Sequence, residues 1–373
     1  MPSMATLGNE LYTGDRSLPI VPRRRTWFTV ALALVAASLL ILVVRDLNIG
    51  IEFRGGSQFT VSGATTLEQQ PAHEVLDEVG ADQAARVSTV GAEAVRVQTE
   101  ELSAEQTTEV RDGLAEAYGV APTEVTSTFI GPTWGESITQ QAIQGLVVFL
   151  LLVALVLAAY FRTWKMAAAA LLGLLHDMVV SVGIYALVGF EITPATVIGF
   201  LTILGYSLYD TVVVFDKVRE NTTGLYDQDE QTYAESANLA VNQTVIRSVN
   251  TTITSVLPVA SILFVGALLL GAGTLRDIAL ALFIGMIVST VSSIFVSTPL
   301  LVQLRQREQA ITAHDEVVTA RRNGEPLPAA HDGTARAQRD TARTQDEDEA
   351  ESNVVAGSHQ GTRAQPRRRK KAR

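Results

Sequence analysis

The chain of 373 residues is 47% hydrophobic, has a formal net charge of −10 and contains no cysteine, which excludes disulfides and thiolate metal sites. Its mean hydropathy is positive, and the apolar residues are gathered into charge-poor runs rather than spread along the chain. Each run is near or beyond the ~18 residues that a helix needs to cross a bilayer. The sequence therefore predicts an α-helical membrane protein with six transmembrane helices.

The N-terminal part consists of a polar segment and the first apolar run. Residues 1–25 end in three arginines, and we expect them to form a cytoplasmic segment. The run at 26–44 is longer than a typical signal-peptide core, and Arg45-Asp46 follows it instead of a small-residue cleavage site. We therefore interpret residues 26–44 as an uncleaved first transmembrane helix.

Residues 45–136 form a soluble, acidic region between the first and second apolar runs. Ser103 and Gln106 have the spacing of a capping box at the start of a helix, and the stretch 90–93 is typical of a hairpin turn. The order of the predicted elements, β-α-β-β-α-β, is typical of a small ferredoxin-like α+β domain. Nothing in the region has catalytic spacing. The strands are predicted at 49–62, 85–90, 94–99 and 125–130, and the helices at 66–79 and 103–118.

Five further transmembrane helices are predicted to form a bundle over residues 137–304. After it, residues 305–373 are polar and of mixed charge, and we expect a disordered cytoplasmic tail. Its basic end could touch anionic lipid or ribosomal RNA, but a solvated tail is the preferred interpretation and no specific nucleic acid is expected. The five helices are predicted at 137–161, 166–190, 192–213, 246–270 and 278–304.

Basic residues between the predicted helices fall on one side of the bundle. By the positive-inside rule, that side is the cytoplasm. Both termini then lie in the cytoplasm and the domain at 45–136 lies outside; its acidity does not conflict, because large domains translocate largely regardless of charge. The basic clusters are 23–25, Arg162 with Lys165, and Lys217 with Arg219.

An acidic residue, Asp210, stands in the fourth apolar run before its apolar character ends, and Arg247 opens the fifth. A carboxylate at membrane depth costs about 2.5–3.5 kcal/mol on insertion scales. We predict that Asp210 is a proton-accepting group and Arg247 its charge-balancing neighbour. The alternative is an interfacial acid that reaches the cytoplasm, because Asp216 lies less than two turns further on.

Other polar residues of the predicted spans recur with helical spacing. Asp177 shares a face with Gly173 and Ser181, and a structural role is favoured for it. The fifth helix has a polar face, which must meet protein or water because lipid cannot satisfy it. We expect an inward polar seam made of Asp177, Ser207, Asn250 and Thr251. The sixth helix carries a stripe of small residues, a packing signal, at Gly285, Ser289, Ser293 and Ser297.

Several stretches of the sequence form recognisable motifs. The stretch after the first helix is Gly50, Ile51, Glu52, Phe53, Arg54, Gly55, Gly56. Further along the chain stand Gly205-Tyr206-Ser207, 210–216 and Arg219-Glu220-Asn221; Gln243-Thr244, Arg247 and Asn250-Thr251; and Ser292-Ser293 with Pro299. These motifs, in this order, resemble those of the SecF family, the smaller membrane subunit of the bacterial SecD–SecF export complex within the resistance-nodulation-division superfamily. The first resembles the family signature G-I-D-F-x-G-G, with glutamate replacing aspartate, and the similarity covers roughly residues 25–305.

The resemblance implies a protein-export subunit of the bacterial plasma membrane rather than an enzyme. It implies partnership with SecD, with the SecYEG channel and with a YajC-type accessory protein, and contact with the translocating polypeptide and the lipid bilayer. The implied mechanism uses the proton motive force at Asp210, with no cofactor and no metal. Two alternatives stay open: a small-molecule proton-driven exporter of the same superfamily, and a passive translocon scaffold.

Overall fold

The structure, a computed structural model, consists of a helical bundle and one small α+β domain. The predicted class, with six apolar helices and a domain between the first and second, is confirmed. The structure describes residues 4–45, 47–82, 85–90, 94–161, 163–267 and 273–325.

Within the described residues, six helical segments are long and apolar enough to cross a membrane. Two of them pass through a π-helical turn, in which the backbone hydrogen bonds span five residues instead of four. The spans are α2 (Arg24–Val44), α6 (Pro132–Phe161), α7 (Trp164–Val188), α8 (Pro194–Thr222), α9 (Tyr233–Ser261) with the π turn Ile262–Ala267, and α10 (Gly273–Ser292) with the π turn Ser293–Ser297 and α11 (Thr298–Arg305).

Two of these helices are longer than the apolar pattern indicates. Helix α8 continues to Thr222 instead of 213, and α9 begins at Tyr233 instead of 246. The added residues at the end of α8 and at the start of α9 are polar. Thr232 and Glu235 make a capping box at the start of α9. Hydropathy marks the membrane portion of a helix, whereas capping and tertiary packing decide where the helix ends.

The soluble domain is a four-stranded antiparallel sheet with order β2-β3-β1-β4, as the ferredoxin-like prediction requires. Side chains alternate along β1, so that Phe59 and Val61 are buried beneath the two helices. The capping box of Ser103 and Gln106 is present as predicted. The elements are β1 (Gly56–Ser62), α4 (Gln70–Glu78), β2 (Arg86–Val90), β3 (Ala94–Thr99), α5 (Ala104–Tyr118) and β4 (Val125–Ile130).

The start of the first predicted strand is wrong. Residues Ile51–Arg54 form a one-turn helix, α3, and β1 begins only at Gly56. The reason is the glycine pair: Gly55 has φ 80° and Gly56 has φ 131°, conformations that side chains disfavour and that end the turn abruptly. The predicted hairpin turn at 90–93 lies largely outside the described residues.

Both ends of the described chain add helices to the bundle. Helix α1 (Met4–Thr13) lies along α9, and α12 (Gln309–Asn323) follows α11. The prediction of a disordered tail from 305 onward is therefore wrong for α12, which buries Ile311 and Val318 and pairs Arg322 with Glu235. The rest of the predicted tail, 326–373, lies outside the described residues. We call the end of the bundle that carries α1 the α1 end, and the opposite end, next to the sheet, the domain end.

Candidate functional site

Asp210 lies inside the bundle, with 6% of its surface exposed. Its Oδ1 accepts a hydrogen bond from Ser248 Oγ on α9 at 2.7 Å, and its Oδ2 accepts one from Ser293 Oγ in the π turn after α10. Hydroxyls from two other helices therefore satisfy both carboxylate oxygens. A buried carboxylate needs such partners, because leaving it without them would be costly.

The π turn has a cause in the sequence. Pro299 carries no N–H, so the helical hydrogen-bond ladder is interrupted just before it. The hydroxyl of Thr298 donates to the Ser293 carbonyl at 2.9 Å. Such π turns often occur at functional sites, and this one places Ser293 against the carboxylate.

The hydroxyl of Ser293 has a second acceptor, the Thr290 carbonyl at 3.1 Å. A hydroxyl can donate one hydrogen bond and accept others. When Asp210 is ionised, Ser293 can donate to it; when Asp210 is protonated, Ser293 can turn to Thr290 and accept from the acid. The site can therefore accommodate both protonation states of the carboxyl group.

A second buried acid, Asp177 on α7, lies one turn of α8 away toward the domain end. It is 2% exposed, and its Oδ2 accepts a hydrogen bond from Ser207 Oγ at 2.6 Å. His176 Nδ1 lies 3.3 Å from its other oxygen. Because Ser207 and Asp210 are three residues apart on α8, they face the same side of the helix. The predicted seam thus joins Asp177 and Ser207.

The structure does not bring the other members of the predicted site to Asp210. Arg247 is exposed, and its guanidinium donates to the Tyr209 hydroxyl at 3.3 Å; among the described ion pairs, none joins it to Asp210. Consecutive residues point about 100° apart around a helix, so Ser248 faces the acid and Arg247 does not. Asn250 is likewise exposed and Thr251 is half-buried. The predicted pairing of Arg247 with Asp210 is absent from this conformation.

Several hydroxyl groups that the sequence analysis did not single out continue the polar seam toward the domain end. Thr252 and Thr290 lie one turn beyond Ser248 and Ser293, with their hydroxyls 2.6 Å apart. The Tyr206 hydroxyl lies 3.5 Å from Thr252. Ser293 belongs to the predicted small-residue stripe and Tyr206 to the family motif at 205–207, whereas serine and threonine are too common in membrane helices for spacing alone to identify Ser248, Thr252 and Thr290.

The small-residue stripe of the sixth span is a helix contact, as predicted. Ser289, Ser293 and Ser297 are buried, and a side chain at Gly285 would overlap Ile203 on α8. At the far end of the stripe, a side chain at Gly173 on α7 would overlap Ser297. Close approach of α7, α8 and α10 is what encloses the two acids.

The glycine-rich family motif forms the junction between the domain and the bundle. Gly50 N donates to the Ile192 carbonyl at 3.0 Å, and Ile192 N donates to the Asn48 carbonyl at 2.7 Å, so the chain entering the domain pairs with the link between α7 and α8. Phe53 lies against Gly135 at the start of α6. The glycine pair separates the one-turn helix from the sheet, since Gly55 ends α3 and Gly56 begins β1.

Charged side chains complete this junction. Glu191, on the link, accepts from Arg96 on β3 at 2.6 Å and also from Gln98. Glu52 lies close to Glu191, since a side chain at Gly50 would meet a carboxylate oxygen of each, and one of the Glu52 oxygens is buried without a hydrogen bond. Burial raises the pKa of Glu52, and the nearby Glu191 raises it further, against the lowering effects of a backbone hydrogen bond and Arg96.

Within the described residues, no three His, Asp or Glu side chains gather as a metal site would require. The expectation that no cofactor is bound stays a prediction. What the geometry offers is a pair of buried carboxyl groups, lined by hydroxyls, at the meeting point of four membrane helices.

These features define a class: a multi-pass membrane protein with carboxyl groups buried in a helical bundle and a ferredoxin-like domain after its first span. The family model for the SecD/SecF protein export membrane protein, C-terminal part, matches residues 111–307. The protein translocase subunit SecF of Streptomyces coelicolor is 42% identical over 86% of this chain and 86% of its own length. The Mycobacterium tuberculosis SecF is 44% identical over 84% of this chain and 73% of its own. The chain belongs to the SecF family.

A solved structure has the same fold. The crystal structure of SecDF from Thermus thermophilus, described as a translocon-associated membrane protein, matches with a TM-score of 0.70 and 32% identity. The match covers 79% of this chain and 39% of the SecDF chain. This chain therefore corresponds to about two fifths of that longer protein.

Proposed function

We propose that this protein is the SecF-type auxiliary subunit of a Sec translocase, which works with SecD to use the proton motive force for polypeptide export through SecYEG. The observation that carries the proposal is the Asp210 site: a buried carboxylate held by hydroxyls from two other membrane helices, one of them in a π turn. Its role is transport, without covalent catalysis.

Protonation of Asp210 would change its partners. The ionised carboxylate accepts from Ser248 and Ser293, whereas the protonated group donates one hydrogen bond, so that Ser293 turns its own proton to the Thr290 carbonyl and the contact between α8 and the sixth span changes. One charge crossing 100 mV supplies about 2.3 kcal/mol, enough to shift an equilibrium between two helix arrangements that differ by a few kcal/mol. The junction at Glu191 and Arg96 would pass that movement to the soluble domain, which would hold emerging polypeptide.

SecD is proposed as the partner that covers the polar face of α9. Arg247, Asn250 and Thr254 follow one another at helical spacing and are exposed. A charged and polar face inside a membrane needs a protein or water partner, since lipid offers none. The fused SecDF relatives keep both halves in one chain. In the complex, Arg247 would meet a SecD surface and would act on Asp210 only in another conformation.

The proposed orientation follows the positive-inside rule: the α1 end in the cytoplasm and the domain outside the plasma membrane. The side chains at the α1 end support it, because basic residues recur there on several elements. Contact with SecYEG and with a YajC-type accessory protein is proposed from family membership alone. The basic residues at the α1 end are Arg23, Arg24, Arg25, Lys165, Lys217, Arg219 and Arg305.

The test is gradient-dependent export into inverted membrane vesicles that contain SecD and the variant chain. Asp210→Asn keeps the size of the side chain but cannot exchange a proton, so export should lose its response to the proton gradient while the complex with SecD is retained. Asp216→Asn, six residues along the same helix, is the matched control and should keep the response. If Asp210→Asn vesicles respond like the wild type, the protein is a passive scaffold.

A further inference from the structure

The two sides of Asp210 differ in polarity. Toward the domain end, the next turns carry Ser207 with Asp177 and the hydroxyl pair Thr252 and Thr290. Also on that side, the buried hydroxyls of Ser181 and Ser289 make no hydrogen bond within the protein. The turns next to the carboxylate on the domain side therefore carry groups that can hold water or pass a proton, as far as the buried apolar cluster of Tyr185, Phe200, Ile203 and Ala281.

Toward the α1 end, the next turns carry an apolar cluster; the buried hydroxyl of Ser297, which makes no hydrogen bond within the protein, also lies on this side. Val214 lies one turn beyond Asp210 on α8, Val245 and Val241 lie one and two turns beyond Ser248 on α9, and Ile294 adjoins Ser293. All four are buried in a single cluster. Seven residues of helix from Ser248 to Val241 make this layer on the order of 10 Å thick.

Residues of the N-terminal segment complete the cluster. Leu11 of α1 is 1% exposed and Ile20 is 2% exposed, and both belong to the same cluster as the valines. Helix α1 approaches closely, since a side chain at Gly8 would be in contact with Ile246. The apolar layer is thus closed by side chains from outside the six membrane helices.

The segment is fastened by two buried asparagines on α9. Asn238 Oδ1 accepts from the backbone N–H groups of Ile20 and Val21, each at 3.0 Å. Asn242 Oδ1 accepts from the Leu18 N–H at 2.7 Å, and both asparagines donate to the Leu18 carbonyl. These bonds fix a stretch of irregular backbone that would otherwise need water.

We infer that residues 4–21 form a seal, which blocks water from reaching Asp210 from the α1 end. The inference rests on the proposed role of Asp210, because water access matters only to a group that exchanges protons. When the segment lifts from α9, the apolar layer loses Leu11 and Ile20, and the carboxylate gains a route to the α1 end. The segment is therefore a gate for proton release on that side.

Thiol labelling tests the seal, because the native chain has no cysteine. The full chain carrying Val245→Cys, in complex with SecD, is treated with a membrane-impermeant maleimide from the α1 side. With the segment in place the cysteine should label slowly. Adding Leu11→Ala removes buried side-chain contacts and should raise the labelling rate by about tenfold or more.

Matched variants distinguish loss of the seal from a general destabilisation of the bundle. Leu18→Ala alters a side chain of the same segment that is 39% exposed, and it should leave the rate unchanged. Asn238→Ala should open the layer, and Asn238→Asp, which keeps the acceptor, should restore slow labelling. If Val245→Cys folds poorly, Val241→Cys repeats the test one turn away. Asn250→Cys gives the labelling rate of an exposed position for comparison.

Fast labelling of Val245→Cys with the segment intact, or no change on Leu11→Ala, would overturn the inference. The readout is water access and does not depend on proton transport. A sealed site in a protein whose Asp210→Asn variant still responds to the gradient would therefore contradict the proposed function but not the seal.

Discussion

At the scale of single residues, the important feature of Asp210 is the identity of its partners. Both are hydroxyls, which donate to a carboxylate and accept from a carboxylic acid. An arginine in the same place would hold the acid permanently ionised. The exposed position of Arg247 in this conformation is thus compatible with a carboxyl group that changes its protonation state.

The buried serines allow a matched test of this view. Ser293→Ala leaves one oxygen of Asp210 without its donor, whereas Ser289→Ala, one turn away, removes a hydroxyl that makes no hydrogen bond within the protein. Loss of a donor to a buried group costs about 1–3 kcal/mol. Thermal unfolding of the purified protein should therefore show a lower Tm for Ser293→Ala and little change for Ser289→Ala. Equal effects would mean that the hydroxyl is not a partner of the acid.

Glu52 gives a pH dependence outside the membrane. Its pKa is raised by burial, so the folded protein binds its proton more tightly than the unfolded chain does. Its contribution to stability is therefore complete at low pH and is lost as the pH rises through the folded pKa. Glu52→Gln should raise the Tm at pH 7.5. The difference in Tm from the wild type should disappear as the pH falls toward 4.5, the pKa of this carboxyl in the unfolded chain. A difference that grows on acidification would contradict this account.

At the scale of elements, close helix approach explains where the glycines lie. A side chain at Gly183 on α7 would overlap Ser38 on α2, including its backbone, whereas Gly145 on α6 has nothing within 4 Å. These two positions distinguish a packing glycine from an incidental one, because both lie within membrane helices.

Gly183→Leu should therefore separate α2 from α7 and reduce the yield of monodisperse protein in detergent, because overpacking a tight contact forces the backbones apart. Gly145→Leu should be tolerated. Size-exclusion chromatography and thermal unfolding of the two variants measure the difference. Equal tolerance of both would show that α2 and α7 are not in close contact.

The elements also show how far sequence reasoning reaches. The six spans and the β-α-β-β-α-β order were predictable, because hydropathy and alternation are local signals. Which of Arg247 and Ser248 faces Asp210 was not predictable, because that depends on the rotation of α9 in the bundle. Helix α12 was missed because its buried face is short and its composition is polar; only its contact with the start of α9 reveals it.

At the scale of the whole molecule, the protein consists of two cores joined at a polar junction. The domain has its own apolar cluster, centred on Phe59, Leu76, Leu114 and Tyr118, and shares none of it with the bundle. The junction is instead made of backbone pairing and the Glu191–Arg96 ion pair. Such an arrangement can transmit movement without loss of either core.

Independent folding of the domain follows from its separate core. A fragment of residues 46–135 should unfold cooperatively and show circular dichroism of mixed helix and strand, because the sheet and its two helices bury their apolar faces against each other. A chain carrying Phe59→Ala should lose this cooperativity. A wild-type fragment without a cooperative transition would show that the bundle is needed to complete the domain.

The central claim is that Asp210 takes up and releases a proton, and infrared difference spectroscopy of the complex with SecD measures this directly. A pH jump should produce a carboxylic acid C=O band in the wild-type protein and in Asp216→Asn, and the same band should be missing from Asp210→Asn. Ser293→Ala should shift the band, since it alters the hydrogen bonding of the protonated group. Identical spectra for the wild type and Asp210→Asn would contradict the account.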